Sequence, residues 1–161
     1  MIFVTLGTHE QPFSRLVDEL NRLKKVGEIT DDIIIQSGYT DVDSEHLHSK
    51  TFMSFDEMTI NMNEARIVVT HGGPSTFLEA QSLGKQPIVV PRLEKFNEHV
   101  NDHQLDFLKL LESKGRNLNY VEDITDLGNV LAEYDNHHIN QPVEKNYIQF
   151  LTKFERLLEK L

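Results

Sequence analysis

The sequence contains no cysteine among its 161 residues. The chain can therefore form neither a disulfide framework nor a thiolate-based active site, and the composition fits a cytoplasmic protein. Positive charge is also scarce, since 16 Lys and Arg residues are outnumbered by 26 Asp and Glu residues, which gives a formal net charge of −10. This balance argues against nucleic-acid binding and against direct electrostatic docking on an anionic membrane.

Long apolar runs are missing as well. No stretch of the sequence approaches the roughly 20 apolar residues that a membrane-spanning helix needs. The opening segment Met1 to Gly7 lacks a basic leader and a long apolar region, so we expect a first strand there rather than a signal peptide. Hydrophobic residues still make up 39% of the chain, which is enough for one globular domain with a real core.

The most informative stretch is a β-branched run followed by a glycine turn and a helix start. Ile67 to Val69 predicts a buried strand, and His71 to Gly73 forms the turn at its carboxyl end. Pro74 suits the first position of a helix, and the helix predicted over Ser75 to Leu83 ends at Gly84. Backbone N–H groups and the helix dipole at such a turn favour a bound anion.

Glu79 makes this prediction more specific. It follows Ser75 by four residues and Thr76 by three, so the three side chains share one helical face. A carboxylate one turn beyond a phosphate site can accept hydrogen bonds from the hydroxyls of a ribose. The alternative is an ordinary strand-to-helix turn with a solvated Glu79.

The rest of the chain alternates strands with helices. We predict further strands at Ile2 to Leu6, Asp32 to Gln36, Lys50 to Ser54, Gln86 to Val90 and Leu118 to Val121. We predict further helices after Pro12, at Asp56 to Ala65, Asn97 to Ser113, Ile124 to Tyr134 and Pro142 to Leu161. The alternation indicates an α/β fold, a Rossmann-like parallel sheet with helices on both faces. Residues 1–134 form its domain, and residues 135–161 a linker and C-terminal helix.

Glycine turns after the first, second and fourth strands should gather at one edge of this sheet, where ligands of open α/β sheets bind. The first turn has a single glycine, Gly7, and is not a dinucleotide-binding fingerprint. His99 and His103 are four residues apart on the predicted long helix, a spacing that zinc ligands use. A polar helix face lining the ligand cleft is the alternative that we favour.

Several motifs together match a known family. They are Phe3 to Phe13, His71-Gly72-Gly73, Ser75-Thr76, Glu79, Gly84 to Pro91, and Asn101 to Gln104. With these motifs the chain resembles the donor-binding half of family 28 glycosyltransferases, which have the two-domain GT-B fold. It is most similar to the small subunits of split glycosyltransferases, such as those of dolichol-linked oligosaccharide assembly and of bacterial capsule and exopolysaccharide synthesis.

The resemblance implies a UDP-sugar donor and an inverting transfer with neither metal nor cofactor. The implied donor-binding residues are Gly7, Thr8, Met53, Phe55, His71, Gly72, Gly73, Ser75, Thr76, Glu79, Asn101, Asp102 and Gln104. Among them the glycine turns would hold the pyrophosphate, Glu79 the ribose, the backbone near Met53 the uracil, and the last three the sugar. Larger relatives carry an Asn three residues after the glutamine, whereas Phe107 stands there in this chain.

The resemblance also implies a partner. The catalytic base of the family usually belongs to the acceptor-binding half, so His9, beside the first turn, is only a weak candidate for that base. We expect a membrane-associated acceptor-binding subunit, a lipid-linked saccharide acceptor reached through it, and a cytoplasmic location at the inner membrane face. The apolar seam of the last helix, Tyr147, Leu151, Phe154, Leu158 and Leu161, either docks that partner or packs on this domain. Two alternatives are a non-catalytic subunit that stimulates a separate transferase and a fragment of an epimerase or hydrolase.

Overall fold

The computed structural model describes residues 1–137 together with Gln149, Thr152, Lys153 and Arg156. Within residues 1–137 the fold is built from six strands and five helices. The strands are β1 Ile2–Thr5, β2 Ile33–Gln36, β3 His48–Lys50, β4 Ile67–His71, β5 Ile88–Val90 and β6 Asn119–Tyr120. The helices are α1 Ser14–Lys25, α2 Phe55–Glu64, α3 Pro74–Ser82, α4 His103–Ser113 and α5 Leu127–His137. Short 3-10 turns lie at Glu94–Phe96 and Ile124–Asp126.

The strands form one sheet in the order β3-β2-β1-β4-β5-β6, and each neighbouring pair is parallel. In the middle of the sheet Val4 of β1 is level with Ile35 of β2 and Val69 of β4. The chain runs outward in one direction from β1 to β3 and then in the other from β4 to β6. The strand order therefore reverses between β1 and β4, which confirms the predicted Rossmann-like parallel sheet.

Alternating side chains of β1 supply the two faces of this sheet. Ile2 and Val4 belong to one buried cluster with the apolar sides of α1 and α5. Phe3 points the other way and packs with Met62 of α2 and Ala80 of α3. The apolar side of α4 packs on the same second face, beside α3 and β5. Helices thus cover both faces, as the sequence predicts.

Both edges of the sheet are short. Edge strand β3 has three residues, His48, Ser49 and Lys50, and all are exposed. Edge strand β6 has two residues, Asn119 and Tyr120, and both are partly buried.

Several boundary predictions are wrong. A strand at Lys50 to Ser54 is not found, because Ser54 is the N-cap of α2 and exchanges hydrogen bonds with Glu57 in a capping box. The strand of that region, β3, lies earlier, at His48–Lys50. Helix α5 also runs to His137, through the start of the predicted linker.

The long helix predicted from Asn97 begins only at His103. Asn97 has a left-handed backbone with φ of 56°, and Glu98 is buried in an ion pair with Arg15, so the chain cannot continue as a helix there. His99 and His103 therefore do not share a helix, and the zinc-ligand spacing loses its basis. The helix predicted over Pro142 to Leu161 lies outside the fully described part of the chain.

Candidate functional site

Three glycine turns meet at the carboxyl edge of the sheet, on both sides of the switch point. Gly7 and Gly38 have positive φ angles of 76° and 56°. A Cβ atom at Gly38 would lie 2.2 Å from the carbonyl oxygen of Gly7. A Cβ atom at Gly7 would lie 2.7 Å from Nε2 of His71, and one at Gly73 would lie 2.3 Å from the same atom. The turns therefore approach one another more closely than any side chain allows.

His71, the last residue of β4, fills the space between Gly7 and Gly73. Its surroundings lower the pKa of the imidazole to about 4. The main cause is burial, and the positive charge of Arg92 adds to it, whereas a backbone contact with Thr5 works in the opposite direction. His71 is consequently neutral at physiological pH and serves as a wedge between the turns.

Helix α3 starts directly after this wedge. Pro74 occupies its first turn, and Gly73 caps it without any side-chain hydrogen bond. The first N–H groups of a helix have no partner within the helix, so this end offers donors and a positive dipole. One expected donor is already used, because the Gly72 N–H donates to Oε1 of Gln104 at 3.1 Å. Among the described residues the N–H groups of Gly73, Ser75 and Thr76 have no acceptor, so they are available to an anion.

The carboxylate of Glu79 is held in place from the neighbouring helix. Oγ1 of Thr59 in α2 donates to Oε1 of Glu79 at 3.3 Å. Glu79 is partly buried and lies one turn beyond the first residues of α3. Its second oxygen has no hydrogen bond in the described part of the chain, so it can accept one from a ligand hydroxyl.

Gln104 joins two loops of the crevice. Its Oε1 accepts hydrogen bonds from the backbone N–H of Gly72 at 3.1 Å and of Arg92 at 2.9 Å. The first N–H belongs to the loop after β4 and the second to the loop after β5. The amide oxygen is thus used structurally, and only the NH₂ group remains to contact a ligand.

A buried arginine holds the loop after β1 against the loop after β5. The side chain of Arg92 is fully buried and donates to the carbonyl oxygens of Leu6 at 2.7 Å, Gln11 at 2.5 Å and Glu98 at 3.0 Å. Its guanidinium carbon also lies 4.9 Å from the ring centroid of Phe13. Burial lowers the pKa of Arg92 to about 10, which still leaves it charged at neutral pH.

Glu98 completes this connection. Its carboxylate accepts two hydrogen bonds from Arg15 of α1, at 2.8 and 2.9 Å, and a third from the Leu93 N–H at 3.0 Å. Arg15 also donates to the carbonyl oxygen of Pro91 at 3.0 Å. A bidentate pair of this kind fixes orientation as well as distance. The loops after β1 and β5 are therefore fixed to each other before any ligand arrives.

A groove of about 870 Å³ elsewhere on the surface is a poorer candidate for an anionic ligand. It lies between the loop after β5 and the elements around β6 and α5. Its acidic lining residues are Glu112, Glu122, Asp123, Asp126 and Glu133. Like charges at short range repel, so the glycine crevice remains the better site for a phosphate.

The sheet order, the crevice at its switch point and the free helix N-terminus are those of a nucleotide-binding α/β domain. The sequence matches the model of the glycosyltransferase family 28 C-terminal domain over residues 1–161. The chain belongs to this family. Membership gives it a sugar-donor-binding role in glycosyl transfer, and makes its sheet one half of a GT-B fold. A comparison with curated proteins found no match.

In this family 28 domain the predicted donor-binding residues fall into groups. Gly7, His71 and Gly73 pack together, and Gly72 is tied to Gln104. Ser75 and Thr76 lie on the first turn of α3, and Glu79 follows them. Thr8 is exposed beside Gly7. Their proposed contacts with a donor stay predictions.

The remaining predicted residues are more distant from the glycine turns or already engaged. Met53 precedes α2 and Phe55 begins it, and both follow the edge strand β3. Oδ1 of Asn101 accepts from the His103 N–H at 3.1 Å, and Oδ1 of Asp102 accepts from the Glu94 N–H at 2.8 Å. These two side chains shape the loop before α4, and each keeps further polar atoms for a sugar.

Sequence reasoning missed Thr59, Arg92 and Glu98. Arg92 carried a usable signal, because an arginine that directly follows a buried strand and Pro91 lies at the ligand-binding edge of a parallel sheet. Glu98 and Thr59 carried none, since their partners are 83 and 20 residues away in sequence.

The described residues contain no group of three His, Cys, Asp or Glu side chains placed to hold a metal ion. Within the same residues, none of the helices has the length and apolar character required to span a bilayer.

Proposed function

We propose that this family 28 domain is the donor-binding subunit of a split, inverting, metal-independent glycosyltransferase. It would take a UDP-sugar and, together with a membrane-associated acceptor-binding subunit, transfer the sugar to a lipid-linked saccharide. The observation that carries the proposal is the free N-terminus of α3 at the switch point, followed one turn later by the carboxylate of Glu79. The first feature suits a pyrophosphate and the second a ribose.

The same geometry supplies a chemical role. When the bond between sugar and pyrophosphate breaks, negative charge grows on the departing UDP. Preorganised N–H donors of Gly73, Ser75 and Thr76, with the positive end of the helix dipole, stabilise that charge without having to reorganise. In transferases that use a divalent cation, the cation stabilises the same negative charge.

The acceptor and its base belong to the other half of the cleft. His71 is neutral, and its ring packs so closely against Gly7 and Gly73 that we assign it a structural role and not that of the base. The domain therefore offers one wall of a cleft, with its polar loops at the carboxyl edge of the sheet. A second chain would supply the acceptor wall, and the C-terminal segment after His137 is the part of this chain that we expect to help dock it.

The second candidate function is a non-catalytic sugar-nucleotide-binding subunit that stimulates a separate transferase. What favours it is that Asn101, Asp102 and Gln104, the residues expected at the sugar, all have side-chain oxygens engaged by backbone N–H groups. Both functions require donor binding. They differ in whether sugar transfer is lost when a substitution weakens the donor site.

The test is calorimetry of UDP binding in the presence of EDTA, with Glu79→Ala and the matched control Glu64→Ala. Glu64 is exposed at the carboxyl end of α2, away from the crevice. We expect UDP to bind, Glu79→Ala to weaken binding by about 1.5–3 kcal/mol, and Glu64→Ala to leave it unchanged. Equal binding by Glu79→Ala and wild type would remove Glu79 from the site, and absence of UDP binding would reject the proposed donor.

Transfer itself separates the two functions. Sugar transfer to the lipid acceptor is measured in membranes of the source organism, to which either the wild-type chain or the Glu79→Ala variant is added. A catalytic subunit carrying Glu79→Ala should lose transfer in proportion to donor affinity, and saturating donor should restore it. Transfer that depends on the chain but not on the donor site would support the stimulating subunit.

A further inference from the structure

Two histidines outside the glycine turns lie against each other at the crevice. His9 belongs to the loop after β1, and His99 belongs to the loop after β5. Their ring centroids are 4.5 Å apart with a tilt of 38°. Both rings contribute to lowering the pKa of His71, the last residue of β4, and the loops that carry them follow β1 and β5 at the carboxyl edge of the sheet. The buried Arg92 fixes the two loops that carry the pair.

The hydrogen bonds of the pair define its tautomers. Nδ1 of His9 accepts the Gln11 N–H at 3.2 Å, and Nδ1 of His99 accepts the Asn101 N–H at 3.4 Å. A ring nitrogen that accepts a hydrogen bond carries no proton, so in each neutral ring the proton is on Nε2. Within the described residues no hydrogen bond occupies either Nε2. Each ring thus presents one unused N–H donor.

The charges around the pair favour an anion over a cation. Burial is the main cause that lowers the pKa of His99; His9 and, to a smaller extent, the positive charge of Arg92 lower it as well, whereas Asn101 raises it. The nearest buried carboxylate, Glu98, is consumed by Arg15 and the Leu93 N–H. The other carboxylates on these loops are Glu10 and Glu94, which are exposed, and Asp102, which accepts the Glu94 N–H.

We propose that His9 and His99 form a subsite for the diphosphate of the nucleotide, in which each imidazole donates its Nε2–H to a phosphate oxygen. The proposal rests on the proposed function and adds a second set of donors beside the N-terminus of α3. Because these hydrogen bonds strengthen as charge accumulates on the leaving nucleotide, the pair supports bond cleavage as well as binding. In this arrangement His9 is a hydrogen-bond donor and not a general base, since its one free lone pair is already engaged by Gln11.

The experiment compares UDP with uridine, which lacks the phosphates. His9→Phe and His99→Phe keep a stacked ring but remove both ring nitrogens, and His99→Gln restores a donor near the Nε2 position. His103→Phe is the matched control, because His103 is exposed on α4. We expect each of the first two variants to bind UDP about tenfold to a hundredfold more weakly with uridine affinity unchanged, and His99→Gln to recover part of the loss.

A spectroscopic readout tests the tautomers directly. Nitrogen-15 NMR of the histidine rings at pH 7.5 should show the Nε2–H form for His9 and His99, and UDP should shift the Nε2 signals of both. A protonated Nδ1 in either ring, or UDP binding without any change at Nε2, would overturn the proposal.

The affinities for UDP and uridine distinguish the remaining outcomes. If wild type binds UDP and both Phe variants bind it equally well, the proposal is wrong and the proposed function stands. If a Phe variant weakens UDP and uridine to the same extent, the pair is structural and the proposal is again wrong. If wild type does not bind UDP, the proposed function is wrong, and the diphosphate subsite that rests on it is rejected with it.

Discussion

Replacing Gln104 by Leu should destabilise the fold through the two loops that its amide oxygen joins. The variant keeps a similar volume but removes the acceptor of the Gly72 and Arg92 N–H groups, which lie 3.1 and 2.9 Å from Oε1. Each lost hydrogen bond costs about 0.5–1.5 kcal/mol, and the site is only partly buried, so water can reach the freed donors. The expected loss in the free energy of unfolding is therefore about 1–3 kcal/mol.

The assay is equilibrium unfolding in urea. With a slope of about 2 kcal/mol per molar urea, the midpoint of Gln104→Leu should fall by about 0.5–1.5 M. Gln104→Glu keeps an acceptor and should remain close to wild type. Gln81→Leu is a matched control, because Oε1 of Gln81 is buried and accepts no hydrogen bond from any described residue, so its removal should cost nothing. A Gln104→Leu midpoint equal to that of Gln81→Leu would refute the proposed bridge between the loops.

Two further predictions concern the glycine crevice. The pKa of His71 falls from 6.5 in the unfolded chain to about 4 in the folded chain, so the unfolded chain takes up the proton first as the pH is lowered. The free energy of unfolding that this histidine contributes is present above pH 6.5 and should drop by about 2–3 kcal/mol as the pH falls to 4.5. Urea unfolding at both pH values should show this drop for wild type and not for His71→Leu. Gly38→Ala should cost about 2–4 kcal/mol in the same assay, because a left-handed backbone and a Cβ atom 2.2 Å from the Gly7 oxygen both oppose it. Gly27→Ala, with φ of 81° but no atom within 4 Å of its Cβ, should cost only about 1–2 kcal/mol; equal losses would contradict the steric argument.

The parts of the fold that the sequence predicts well are those where local pattern and tertiary packing agree. Ile33 to Ile35 and Ile67 to Val69 are β-branched runs of the kind found in strands buried in a parallel sheet, and they form β2 and β4, the two strands that flank β1. The glycine turns and the start of α3 at Pro74 were likewise local signals. Together these are enough to place the crevice.

The parts that the sequence does not predict depend on partners distant along the chain. The residues from Asn97 to Asp102 read as a helix, but an ion pair between Glu98 and Arg15, 83 residues apart, holds them as a loop. The contact between the rings of His9 and His99 has the same origin, because the loop conformation places His99 against His9. No local periodicity encodes such contacts, and a lone sequence gives no other source for them.

The short edges of the sheet restrict how this domain can meet other proteins. A chain that adds itself to a sheet gains affinity from a row of main-chain hydrogen bonds. Strand β3 offers only three residues, one of them Lys50, and β6 offers two, so such a row would be brief at either side. Short, charged edges are a recognised protection against uncontrolled sheet-to-sheet aggregation. Recognition must then come from side chains and loops, whose chemistry can be selective, rather than from backbone pairing, which accepts almost any strand.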